Sequence, residues 1–196
     1  IGVDVNGKIH TNIIELAKKN GLATGDISTA EIQDATPAAP IAHVNHRKCY
    51  GPKVTAEKCP EFLTEKGGLG SISEQIINAR ADVVMGGGMK SFKELSNDPK
   101  FAGKTLLEIA KAKGFNVVTN ADELSKVTTA DQNKPVLGLF AEGNMPVRLK
   151  GPQASLHGNL EKDAVKCEVN KDRNSSIPTL AQMTKKSIEL LSKNKK

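Results

Sequence analysis

This sequence predicts an α/β fold, a three-layer α/β/α sandwich with a mostly parallel central sheet. Three observations carry that expectation. Short runs that are apolar on both faces recur along the chain, Asp82-Val83-Val84-Met85 and Pro135 to Phe140 above all. Segments of helical periodicity alternate with them. The chain also shows no internal repeat and no low-complexity linker that would point to a solenoid or a string of modules. Strands buried on both faces need helices on both sides, which is the arrangement of parallel sheets.

The elements follow in order. Ile13 to Lys19 has helical spacing and closes at Asn20-Gly21, a pair suited to a helix C-terminus. Leu22 to Ile32 reads as extended. Pro37 suits the first turn of a helix running towards Asn45, although the missing N–H of Pro40 falls at the limit of the tolerated positions. After the glycines at 67, 68 and 70, Ser71 caps a helix through Arg80, with Glu74 at capping-box spacing. Asp82 to Met85 is a buried strand entering Gly86-Gly87-Gly88. Thr105 to Lys113 is helical and stops at Gly114. Phe115 to Thr119 returns to strand, Asp122 to Lys126 is a short helix, and Pro135 to Phe140 is a strand with almost no polar positions. Residues 143–178 lose this regularity and read as an excursion on the rim. A long amphipathic helix follows Thr179; its apolar positions Leu180, Met183, Ile188 and Leu191 are expected on the sheet, with Lys185, Lys186 and Glu189 in water.

Composition narrows the function. Aromatic residues make up 3%, with no Trp and one Tyr, so the core rests on Ile, Leu, Val and Ala. Lys and Arg number 28 against 22 Asp and Glu, a net charge of +6 that suits anionic ligands. The lysines are scattered over helix faces without interleaved aromatics, which argues against nucleic-acid binding. Lys193, Lys195 and Lys196 close a helix, where cations complement the dipole. No apolar run approaches the length of a membrane span, so no membrane partner is expected, and no signal peptide is visible in this stretch.

Cys49 and Cys59 enclose nine residues rich in turn formers. A disulfide closing so small a loop is worth on the order of 2–3 kcal/mol in the chain-entropy model. Two free thiols or half a metal site are the alternatives, but a zinc site usually has tighter pairs and a second pair. Cys167 is left without a partner in the sequence. Gly86-Gly87-Gly88 lacks the spacing of either phosphate-binding glycine motif and reads as a tight strand exit. His43 and His46 are placed to share a helix face as ordinary histidines, and His10 and His157 have no metal-ligand spacing with them. No serine sits in a nucleophile-elbow context. Asn174-Ser175-Ser176 is a formal glycosylation sequon, a pattern frequent by chance.

Asp34 and Thr36 place two hard oxygens two residues apart at a strand-to-helix transition, and Arg47 follows. Magnesium takes oxygen ligands and keeps several waters, while a guanidinium fork grips phosphate through paired hydrogen bonds. The plainer reading is that Asp34 and Thr36 cap the helix at Pro37 and that Arg47 is an ordinary surface arginine.

Several stretches, taken in order, resemble the bacterial periplasmic alkaline phosphatases. They include residues 34–39, Ala42-His43, residues 47–52, Cys59-Pro60, Lys66-Gly67-Gly68, residues 78–82 and 86–88, residues 137–141 and 143–148, and residues 178–184. The resemblance covers essentially the whole chain. It implies hydrolysis of phosphate monoesters through a phosphoseryl intermediate, with inorganic phosphate as product and two zinc ions and one magnesium ion as cofactors. It further implies that Thr36 gives a direct oxygen to magnesium, that Asp34 holds that site mainly through metal-bound water, and that Arg47 clasps two phosphate oxygens. Cys49 and Cys59 correspond to the family's first disulfide. A periplasmic location and a homodimer are also implied.

The family's Asp-Ser-Ala nucleophile motif and its zinc ligands do not occur in these residues. Residues 1–196 are therefore expected to be a single alkaline phosphatase-like domain truncated at both ends and inactive alone, with the partner of Cys167 outside it. A non-catalytic anion-binding or interaction module on the same scaffold is the alternative. Pro40 and His46 depart from the family pattern close to Arg47.

Overall fold

The computed structural model describes residues 1–152, 156, 158 and 166–194; His157, Lys195 and Lys196 lie outside them. Four parallel strands form the central sheet in the order β1-β2-β4-β3: β1 Gly25–Glu31, β2 Val83–Gly87, β3 Asn116–Val118 and β4 Val136–Leu139. Val83 lies opposite both Gly25 and Val136, so β2 is paired on both edges.

The alternation of side chains along each strand builds two cores. Val84, Leu137 and Leu139 face one side, where they join Ile14, Ile72, Ile76, Leu106 and Ile109. These come from α1 (Ile13–Lys19), α4 (Ile72–Ala79) and α6 (Leu106–Ala112). Val83, Met85 and Val136 face the other side, against Leu124 of α7 (Ala121–Ser125) and Met183 and Leu190 of α8 (Leu180–Leu191). The sheet is therefore covered on both faces, as its apolar strands require. Among the described residues no helix is long and apolar enough to cross a membrane.

Capping chemistry fixes where the covering helices start. Asn12, Ser71, Thr105 and Thr179 each accept a hydrogen bond from the third helical backbone N–H, and Glu15, Glu74, Glu108 and Gln182 bond back to the cap residue. The glycine run acts through close approach. A Cβ on Gly87 would stand 2.0 Å from the Gly143 carbonyl oxygen, and Gly88 has a φ of 99°.

Two expectations are corrected. The helix at Pro37 does not reach Asn45: α2 spans Ala35–Ala38. Pro40 has no N–H to continue the ladder, and the chain turns, with both Ile41 and Ala42 donating to the Ala38 carbonyl. His43 and His46 consequently share no helix face. His43 is buried and held by its ring nitrogens, Nδ1 2.6 Å from the Gly2 oxygen and Nε2 3.1 Å from Glu15 Oε1, whereas His46 is exposed. The buried stripe of α8 is also rotated from the expected one. Met183, Ser187 and Leu190 are inside, while Leu180 and Ile188 are exposed. Ser187 tolerates burial because its hydroxyl donates to the Met183 carbonyl at 2.8 Å. Within residues 143–178, a small antiparallel ladder pairs β5 (Leu149–Lys150) with β6 (Glu168–Val169).

Candidate functional site

The carboxyl ends of β1, β2 and β4 meet at one rim, the usual place for ligands in open α/β sheets. Backbone bonds knit that rim together: Ile32 N donates to Gly87 O, Gly88 N to Ala141 O, and Met145 N to Thr29 O, at 3.1, 3.1 and 2.9 Å. Asn144 Oδ1 accepts from Glu31 N at 2.9 Å. Asp34 and Thr36 sit just past β1, on the first turn of α2.

Asp34 does cap α2, but unusually. Its Oδ1 accepts from Ala35 N at 2.9 Å, and Pro37 offers no N–H for the ordinary cap bond. The same oxygen also accepts from Arg47 Nη2 and from the Tyr50 hydroxyl, each at 2.7 Å. Among the described residues no donor reaches Oδ2. The hydrogen bond from Tyr50, then those from Arg47 and the Ala35 amide, pull the Asp34 carboxyl down to about 2. Burial, and then the hydrogen bond to Asp34, push the Tyr50 phenol up to about 12. Burial raises Glu31 as well, and the Asp34 charge adds to this while Lys48 and Lys90 oppose it.

Arg47 is 56% exposed at its side chain, on an irregular segment rather than a helix. That segment is fastened at both ends. Gln75 pairs with the His43 backbone, accepting from its N–H at 2.8 Å and donating to its carbonyl at 3.0 Å. The first-turn amides of α4, Ile72 N and Ser73 N, donate to the carbonyls of Cys49 and Tyr50 at 2.9 and 3.0 Å. These amides would otherwise lack intrahelical partners. Cys49 and Cys59 are joined in a disulfide and fully buried, with their Cα atoms 6.5 Å apart across α3 (Pro52–Lys58). Cys167 is free and exposed.

Asp34, Thr36 and Arg47 thus come from one continuous stretch, and the hydrogen bond between Asp34 and Arg47 is direct. Thr36 is exposed and its hydroxyl makes no hydrogen bond among the described residues. A carboxylate oxygen and a hydroxyl, both open, suit a hard cation, yet they fill only part of an octahedral shell. Among the described residues no group of three or more His, Cys, Asp or Glu is arranged to hold a metal ion. Tyr50 is the residue that sequence reasoning missed. Its signal was its place as the lone tyrosine, three positions after Arg47.

The family model described as alkaline phosphatase matches residues 1–196. The alkaline phosphatase of Escherichia coli strain K12 is 60% identical over 196 residues, which is 100% of this chain and 42% of that protein. Among solved structures, a cold-active alkaline phosphatase from a psychrophilic Shewanella superposes with a TM-score of 0.66 at 29% identity, over 100% of this chain and 35% of the other. A variant alkaline phosphatase from the Antarctic bacterium TAB5, solved with Mg bound in its M3 site, gives a TM-score of 0.50 at 25% identity, over 74% of this chain and 35% of that one. The chain spans less than half the length of the curated relatives it matches.

Proposed function

Since this chain belongs to the alkaline phosphatase family, we propose that the longer protein containing it hydrolyses phosphate monoesters, releasing inorganic phosphate through a phosphoseryl intermediate. The serine and the zinc ligands are contributed by residues other than these. This chain supplies Asp34 and Thr36 as oxygen donors towards magnesium and Arg47 as the phosphate clamp. The observation that carries the reading is the exposed Arg47 guanidinium, 2.7 Å from Asp34, at the strand-end rim.

Asp34 holds Arg47 beside the rim before substrate arrives. A phosphate dianion then competes for the guanidinium, whose planar fork matches two of its oxygens. Favouring the charge of those oxygens as the phosphoryl group transfers is electrostatic catalysis. Magnesium, when bound, supplies further positive charge at the site. The magnesium-bearing TAB5 relative supports that part of the reading. Family likeness supports two zinc ions and a homodimer, and the Cys49–Cys59 disulfide suits an oxidising compartment such as the periplasm.

The test is Arg47→Ala in the full-length enzyme. Hydrolysis of a chromogenic phosphomonoester should fall about 10²–10³-fold, the scale of one lost oxyanion-binding donor, and inhibition by inorganic phosphate should weaken. Unchanged turnover and unchanged inhibition would remove Arg47 from the clamp. The 196-residue chain alone should show no turnover above that of a mock preparation.

A further inference from the structure

Three donors crowd one oxygen of Asp34 while the other has none among the described residues, and the three are not equivalent. The Ala35 amide belongs to the residue next to Asp34, so it constrains the carboxylate only locally. Arg47 is exposed and, in the function proposed above, must turn towards phosphate. Tyr50 is anchored on both sides of its hydroxyl bond. Its carbonyl accepts from Ser73 N at 3.0 Å and Ser73 Oγ at 2.8 Å, and its ring packs against the core on the α4 side of the sheet. It also follows directly on the buried Cys49.

The consequence lies in how Oδ1 is shared. A carboxylate oxygen bonded to one strong donor holds it more firmly than an oxygen divided among three. With Tyr50 in place, the ion pair with Arg47 is weakened, and Asp34 keeps an external partner after Arg47 departs. Without the hydroxyl, Asp34 would fall back on Arg47 as its main partner and hold it away from substrate.

We propose that Tyr50 is a positioning residue: its hydroxyl divides Asp34 Oδ1 so that Arg47 is preset at the rim yet releasable to phosphate. The proposal rests on the assignment of Arg47 as the phosphate clamp. In this role Tyr50 acts through Asp34 and not on the phosphate itself.

The experiment is a double-mutant cycle in the full-length enzyme, with inorganic phosphate binding measured by calorimetry and as inhibition. Tyr50→Phe keeps the ring in its packing and removes only the hydroxyl, and thermal unfolding checks that the fold is retained. Phosphate binding should weaken about 3–10-fold, the scale of one hydrogen bond. In an Asp34→Ala background, the same Tyr50→Phe change should have no effect on phosphate binding, because the coupling runs through Asp34. An equal loss in both backgrounds, or no loss beside an intact Asp34, would overturn the proposal. If Arg47→Ala leaves phosphate binding unchanged, the clamp assignment itself fails and takes this inference with it.

Discussion

Two aspartates at the two ends of β1 behave in opposite ways. Asp26, near its start, has an Oδ2 that is buried and unpartnered among the described residues, and burial pushes its carboxyl up to about 7. Asp34, just past its finish, is drawn down to about 2 by Tyr50, Arg47 and the Ala35 amide. The side-chain type is the same and the chain separation is eight residues. Desolvation without donors penalises the charged form, while hydrogen bonds to the charged form favour it. The end of the strand that leads to the candidate site thus favours an ionised carboxylate, and the other end disfavours one.

The largest effect should come from neutralising the unfavourable end. The carboxyl of folded Asp26 binds its proton more tightly than that of the unfolded chain. Between its ordinary value of 3.8 and about 7 the native state therefore holds more protons, and stability falls as pH rises through that window. Above about pH 7 the cost is complete, at roughly 2–4 kcal/mol. Asp26→Asn should recover about 2 kcal/mol or more at pH 8 and nothing at pH 3.5, read from urea unfolding at the two pH values. Equal stability of variant and wild type at pH 8 would mean that the buried oxygen finds a partner.

The next effect has the opposite sign. Folded Asp34 releases its proton more readily than the unfolded chain, so its contribution is complete above 3.8 and is lost as pH falls towards 2. Because the pair with Arg47 is solvent-screened, the contribution stays below about 1 kcal/mol. Asp34→Asn should lose that amount at pH 7 and match wild type near pH 2 in the same unfolding measurement. A loss of several kcal/mol would show that Asp34 supports the fold rather than the site.

The smallest stability change belongs to Thr36. Its exposed hydroxyl makes no hydrogen bond among the described residues, so Thr36→Ala should alter stability by less than about 0.5 kcal/mol. In the full-length enzyme the same change should blunt the response of activity to added magnesium. A full magnesium response in the variant would remove Thr36 from that site and leave Asp34 as the functional end of the strand by itself.

Most of the framework was legible in the sequence because its signals are local. Val83-Val84-Met85 and Val136-Leu137 can be satisfied only by covering both faces, and Ser71 with Glu74, or Thr105 with Glu108, marks a helix start through bonds spanning one turn. The helix at Pro37 is shorter than its sequence pattern implies because one missing N–H at Pro40 outweighs the helical pattern beyond it. In α8, Met183 and Leu191 pack as their periodicity implies, while Leu180 and Ile188 do not, for a different reason. Ser187 is polar in the sequence yet closes its own bond to Met183, so hydropathy gave no sign that it faces the sheet.

The alternation of strands and helices, the family, and the stretch 34–50 as the place to look are all readable from residue order. Which groups share that place follows from the folded arrangement. The Tyr50 hydroxyl reaches Asp34 because α4, far along the chain, fastens the Tyr50 carbonyl with Ser73. The contrast between Asp26 and Asp34 arises in the same way. Whether a carboxylate meets donors, as Asp34 does, or is buried without one, as Asp26 is, depends on how the chain folds around it, and residue type alone does not encode it.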